Sequence, residues 1–182
     1  MRRTTLFTTF LLAAVLALVL VAAAGGNRGR GNDDGAKKQR TAAVTVYDLR
    51  LEPKQEVPRI TGLRAGAAGN LTLDVTRDST GAITSGEVVF YVNYDFPGSV
   101  TITGLHVHQA PKGTNGPIVV DSGVAAFTDA DGDGNVTAVV AGVSPAVLQA
   151  ILAQPRGYYV NLHTSVNPDG ALREQMHNPK KR

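Results

Sequence analysis

Leu71-Thr72-Leu73-Asp74-Val75-Thr76, then Asp78-Ser79-Thr80-Gly81, then Glu87-Val88-Val89-Phe90-Tyr91-Val92-Asn93-Tyr94 read as one unit. Leu71, Leu73 and Val75 fall on alternate positions, and a period of two puts them on one face of a strand. The four residues Asp78 to Gly81 are turn formers, and the run from Glu87 to Tyr94 continues the chain as the second arm of a hairpin. Outward from this hairpin the same texture repeats. Short apolar runs are predicted as strands at Val44–Leu51, Val100–His108, Pro117–Val120, Val124–Phe127, Val136–Ala141, Tyr158–Thr164 and Ala171–Met176. Turn clusters separate them at Pro111-Lys112-Gly113, Asn115-Gly116-Pro117, Asp129 to Gly134 and Asn167-Pro168-Asp169-Gly170. One helix is predicted after Ser144-Pro145, with Val147, Leu148, Ile151 and Leu152 on its apolar side and Gly157 closing the region. Serine at the N-cap and proline at the first helical position favour that start. About eight or nine short strands and one short helix define an all-β, antiparallel β-sandwich or flattened barrel.

The ends of the chain have a different composition. Arg2-Arg3 precedes an apolar run from Phe10 to Ala24 that closes on Ala22-Ala23-Ala24. A basic start, an apolar middle and small residues at the end predict a cleaved signal peptide over residues 1–24, which places the protein in a secreted or extracytoplasmic location. The competing reading is an uncleaved anchor, since the run counted from Leu6 reaches about 19 residues. Residues 25–40 hold five glycines and alternating charge, and are predicted to be a flexible linker. The domain then occupies residues 41–177, and 178–182 form a basic tail.

The charge of the chain divides along the same boundaries. Of the 18 Lys+Arg and 15 Asp+Glu, residues 1–40 hold seven basic and two acidic, and Lys180-Lys181-Arg182 add three basic. Residues 41–179 therefore carry eight basic and thirteen acidic groups, a net charge of −5. An acidic domain with no Lys/Arg stripe is a poor match for a phosphate backbone, so nucleic acid is not an expected partner. The absence of cysteine excludes disulfides, thiolate zinc sites, Fe–S clusters and a cysteine nucleophile. Ser122, Ser144 and Ser165 lack the context of a nucleophile elbow, and no glycine-rich phosphate loop is present.

Three segments together resemble a known family. They are Glu56-Val57-Pro58; Gly104-Leu105-His106-Val107-His108 with Asn115-Gly116-Pro117; and Tyr159-Val160-Asn161-Leu162-His163-Thr164 followed by Gly170-Ala171-Leu172-Arg173-Glu174-Gln175. This set resembles the CHRD domain, the chordin-type module, over about residues 44–176. The chain departs from the family pattern at Glu174, where glycine is usual, and at Ala171, where glutamate is usual. The resemblance implies an immunoglobulin-like β-barrel and a secreted module, and little chemistry.

The residues themselves point to one face. His106 and His108 are two apart, so they share a side opposite Leu105 and Val107. Asn161 and His163 likewise oppose Tyr158, Val160 and Leu162, and Arg173 and Gln175 oppose Leu172 and Met176. If the strands are neighbours, three imidazoles gather outside the apolar core with Asn161, Arg173 and Gln175 beside them, under the loops 109–117 and 164–170. Imidazole suits copper or zinc. The competing reading is a hydrogen-bond network that pins those loops to the strands. Glu174 and His177 would add ligands only if the strand end curled inward. Arg173 disfavours a bare cation and would suit an anion held beside the metal. A second candidate is Asp129, Asp131 and Asp133 with Gly134, which begins like a calcium loop but has Val140 at the twelfth position; a weak calcium site and an Asp/Gly-rich hairpin turn are the two readings. Asn70-Leu71-Thr72 and Asn135-Val136-Thr137 match the glycosylation pattern but lie in strand-forming runs.

Taken together, the sequence leads to a non-catalytic, extracytoplasmic binding module with a protein or cell-envelope ligand, touching a membrane only through an uncleaved N-terminal segment. The alternatives are a histidine-based copper or zinc protein and a structural envelope or matrix component. N-terminal sequencing of the exported protein is expected to begin at or next to Gly25; an intact Met1 in a membrane fraction would instead show an anchor.

Overall fold

A computed structural model describes residues 40–179. The expected signal segment, the linker up to Gln39 and the last three basic residues lie outside them. Nine strands are present among the described residues: β1 (Thr41–Leu51), β2 (Gly66–Arg77), β3 (Ile83–Asp95), β4 (Val100–Gln109), β5 (Ile118–Asp121), β6 (Phe127–Asp129), β7 (Asp133–Ala141), β8 (Tyr158–Thr164) and β9 (Leu172–Gln175), with one helix α1 (Pro145–Ala153). All pairings are antiparallel. One sheet runs β1-β2-β3-β7; the other runs β5-β4-β8-β9, with β6 also on β4. The expected all-β sandwich is thus the fold.

The alternation seen in sequence becomes the core. Leu71, Leu73 and Val75 of β2 and Val88, Phe90 and Val92 of β3 are buried, and they meet Leu105, Val107, Val160, Leu162 and Leu172 of the other sheet. Helix α1 covers one end of the sandwich with Leu148 and Ile151. Its start differs in detail from the expectation. Ser144 precedes Pro145, but its side chain makes no capping bond. The helix stops at Gln154 because Pro155 has no N–H to continue it.

Two departures from the strand reading matter. The expected strand Val124–Phe127 is displaced to Phe127–Asp129, where it pairs with Val100–Ile102 of β4, while Ile118–Asp121 pairs with His106–His108 further along. In addition, the β4–β8 register shifts between Ile102 and Gly104. This irregularity lets Ile102 and Leu105 both enter the core although they are three apart. Gly104, His106 and His108 are thereby left on the outer face.

Beyond Leu51 the chain crosses between the sheets. Glu52 pairs with Arg173 of β9 through N–H···O bonds of 3.0 and 3.4 Å. A 3-10 turn at Pro53–Gln55 then carries the chain around the β9 edge to Glu56. Phe90→Ala is expected to cost about 3–5 kcal/mol in urea unfolding, the range for emptying an aromatic core site, whereas Val44→Ala on the exposed face should stay within about 0.5 kcal/mol.

Candidate metal centre

The outer face of the second sheet is a grid set by register. His106 lies opposite Asn161, which lies opposite Arg173. One step along, His108 lies opposite Tyr159, which lies opposite Gln175. One step the other way, Gly104 lies opposite His163. A β-carbon at Gly104 would come 2.7 Å from His106 Cε1, so the glycine leaves the room in which the His106 ring lies. His106 and His163 consequently stand 4.7 Å apart between ring centroids, and His108 and His163 5.5 Å. One ring nitrogen from each of the three lies within 4.8 Å of the other two, and among the described residues this is the converging group of metal-type ligands. None of the three belongs to the apolar core.

The hydrogen bonds decide the tautomers. His108 Nδ1 is 2.9 Å from the Gly116 carbonyl, and His163 Nδ1 is 2.9 Å from the Pro168 carbonyl. A carbonyl only accepts, so each Nδ1 carries the proton and donates it. Each Nε2 is then a bare lone pair, and the two Nε2 atoms face one another at 3.4 Å. His106 Nε2 lies 3.4 Å from the Asp121 carboxylate, which leaves its Nδ1 buried and without a partner. A carboxylate behind a histidine is the arrangement that orients a metal ligand and raises its basicity. Burial, aided by the neighbouring imidazoles, pushes the His106 pKa below the ordinary histidine value against the pull of Asp121. Burial does the same at His108, helped by His163 and Arg173 and opposed by its bond to Gly116. Both rings therefore stay neutral, the form that binds a metal, to lower pH than a free histidine.

The other expected members of the face have structural duties. Arg173 is 1% exposed. Its Nη1 donates to Asn115 Oδ1 at 2.9 Å, and its Nη2 to Thr114 O at 2.9 Å and Gln175 Oε1 at 3.4 Å. Its guanidinium sits 3.5 Å from the Tyr159 ring centroid. Tyr159 in turn stacks on His108, centroids 4.8 Å apart and 10° between planes. Three of the Arg173 N–H donors thus go to the loop and to Gln175, and its flat face lies against Tyr159, which gives the side chain a structural duty beside the expected anion role. Gln175 Nε2 is shared among the carbonyls of Ala110, Arg156 and Tyr158 at 2.7–3.1 Å, which pins the loop and not a ligand. Glu174 points to the opposite side, where it accepts from Gln55 Nε2 at 2.6 Å and meets His177 at 3.1 Å; neither joins the histidines.

Two residues that the sequence reading did not place here belong to the site. Tyr159 lies between His108 and Arg173, and its parity with Asn161 and His163 was the available signal. Glu56 is 6% exposed and accepts from Asn161 Nδ2 at 3.5 Å. Burial raises its pKa to about 7 against the lowering pull of Arg173 and Asn161. Nothing in the periodicity could place it, because it arrives through the crossing after β1.

The acidic turn is built differently. The Asp129 carboxylate accepts from Tyr94 OH at 2.7 Å and from the N–H groups of Asp131 and Gly132 at 3.3 Å. Asp131 accepts from Asp133 N at 3.4 Å. The carboxylates of Asp129 and Asp131 thus cap the β6–β7 hairpin turn, where Gly132 takes φ +82°. A larger cleft of about 620 Å³ opens at Arg50, Glu52, Ala67, Tyr94, Asp95 and Asp133, and its lining includes none of the histidines.

An antiparallel sandwich with a His-x-His strand beside an Asn-x-His strand, closed by a buried arginine, is the class of protein defined here. Residues 47–176 match the CHRD domain family, more than half of the chain, and the chain belongs to that family. CHRD domains are in general binding modules and are typically extracellular. Comparisons with curated proteins and with solved structures gave no significant match. Among the described residues no helix is long and apolar enough to cross a membrane.

Arg173→Lys keeps the charge but loses the fork and the stacked plane. It is expected to lower stability by about 1.5–3 kcal/mol, the worth of hydrogen bonds to a charged group. Hydrogen exchange at Gly116 should accelerate well beyond that global loss, because the loop is released first.

Proposed function

We propose that this domain is an extracytoplasmic, non-catalytic metal-binding module that takes zinc or copper on His106, His108 and His163. The observation that carries the reading is the pair of bare Nε2 atoms on His108 and His163. Their outward nitrogens are committed to backbone carbonyls, so while both rings are neutral neither can donate to the other. Two lone pairs 3.4 Å apart repel unless a proton or a metal ion lies between them, and above the imidazole titration range the metal ion is the candidate. Two nitrogens each about 2.05 Å from one ion at a tetrahedral angle stand about 3.3–3.4 Å apart. The buried, unpartnered Nδ1 of His106 supplies a third donor of the same chemistry. Three neutral imidazoles with no thiolate and no carboxylate suit zinc or copper better than calcium or magnesium. The network reading is not a competitor: the same rings pin the loops with one nitrogen and offer a metal the other. Membership in a family of binding modules supports the binding role, and the signal-like N-terminus supports the location.

Added Zn2+ at about 100 times its Kd should stabilise the fold by about 2.7 kcal/mol, a rise in Tm of about 10 °C for a domain of this size. The rise should be present at about pH 7.5 and gone at about pH 5, where protons displace the metal from the imidazoles. His163→Ala should abolish it. An unchanged Tm in wild-type protein with Zn2+ and with Cu2+ would overturn the reading.

A further inference from the structure

Four buried side-chain polar atoms among the described residues have no hydrogen-bond partner: Tyr47 Oη, Glu56 Oε1, His106 Nδ1 and Asn161 Oδ1. Tyr47 belongs to the apolar core. The other three belong to neighbouring residues. Asn161 lies across the strand pair from His106 and two residues before His163, and its amide meets the Glu56 carboxyl. The amide's orientation is set, because Nδ2 donates to Glu56 Oε2 and Oδ1 is the end left over. A β-carbon at Gly170 would overlap that amide, so the glycine lets the loop close over it. In the three-imidazole reading, His106 Nδ1 would be taken up by the ion. Asn161 Oδ1 and Glu56 Oε1 are two acceptors that an ion held by three imidazoles does not satisfy. A buried acceptor left bare is costly, so both call for a donor.

We propose that the fourth position of the centre takes a small ligand bearing hydrogen-bond donors, water in the resting protein and hydrogen peroxide or an alcohol in exchange, oriented by Asn161 Oδ1 and Glu56 Oε1. This rests on the three-imidazole reading above. A three-histidine set leaves a tetrahedral ion one open position. Anions without hydrogens, such as azide or halide, would meet two oxygen lone pairs there, and Arg173 is already spent on Asn115, Thr114 and Tyr159. A cleft of about 240 Å³ lies beside Glu56, Val57, Pro58, Pro168 and Gly170, on the Glu56 side of the site; its lining includes none of the histidines.

The test uses the full chain loaded with Cu2+ at about pH 8, above the Glu56 titration. Electron spin-echo spectra in D2O should show imidazole nitrogens together with strongly coupled, exchangeable deuterons. Azide, followed by its charge-transfer band, should bind weakly to wild-type protein. It should bind at least about tenfold more tightly to Glu56→Gln, which removes one negative charge and offers an amide donor. Imidazole nitrogens without coupled deuterons would overturn the proposal and leave the metal reading standing; Glu56 and Asn161 would then be satisfying each other through a proton on the carboxyl. Equal azide affinity in the two proteins would overturn the part given to Glu56. Copper bound without imidazole coupling would overturn the metal reading and this proposal with it.

Discussion

One buried cation holds the working face of this domain together. Arg173 brings a full positive charge to a position 1% exposed, and among the described residues no carboxylate lies within salt-bridge distance of it. Such a charge is tolerated only when it is hydrogen-bonded and its plane is covered. The protein meets this with Asn115 Oδ1, Thr114 O, Gln175 Oε1 and the face of Tyr159. Asn115 then passes the constraint on, since its Nδ2 donates to Val57 O at 2.6 Å. A single side chain on β9 thus ties the loop after β4, the segment after β1 and the centre of β8 into one assembly.

The histidines inherit their geometry from that assembly. With the 110–117 loop fixed, the Gly116 carbonyl stands where it takes the His108 Nδ1 proton, while the Gly116 N–H donates to Tyr159 OH at 3.3 Å. The 165–170 loop does the same for His163 through Pro168. Loop closure therefore sets the tautomers: each loop bond holds the ring proton on the outer nitrogen and leaves the inner one without it.

The electrostatics of the site pull in two directions with pH. His106 and His108 have folded pKa values below 6.5, so their contribution to stability is present above that value and is lost as pH falls below it. Glu56 is raised from 4.5 to about 7, so its contribution is present below 4.5 and is lost as pH rises toward 7. Near neutrality the site therefore keeps His106 and His108 free of protons while ionising Glu56 at a cost.

Much of this was legible in the chain itself. The alternation of Leu71, Leu73 and Val75 dictated a strand with one apolar face, and the spacing of His106 with His108 and of Asn161 with His163 dictated which side they took, because side-chain direction in a strand is a local, period-two property. The turn chemistry of Asp78–Gly81 set the hairpin. Adjacency was not local. That β4 lies beside β8, in a register that sets His163 against Gly104, follows from burying residues some sixty positions apart in one core. The irregularity between Ile102 and Gly104, the shift of the β6 strand to Phe127–Asp129 and the arrival of Glu56 around the β9 edge follow from that same packing. So do the tautomers, since the ring proton sits on whichever nitrogen faces the carbonyl that the closed loop presents. Sequence assigned the histidines a face; the tertiary structure gave that face a roof, a buried cation and two inward-facing lone pairs 3.4 Å apart.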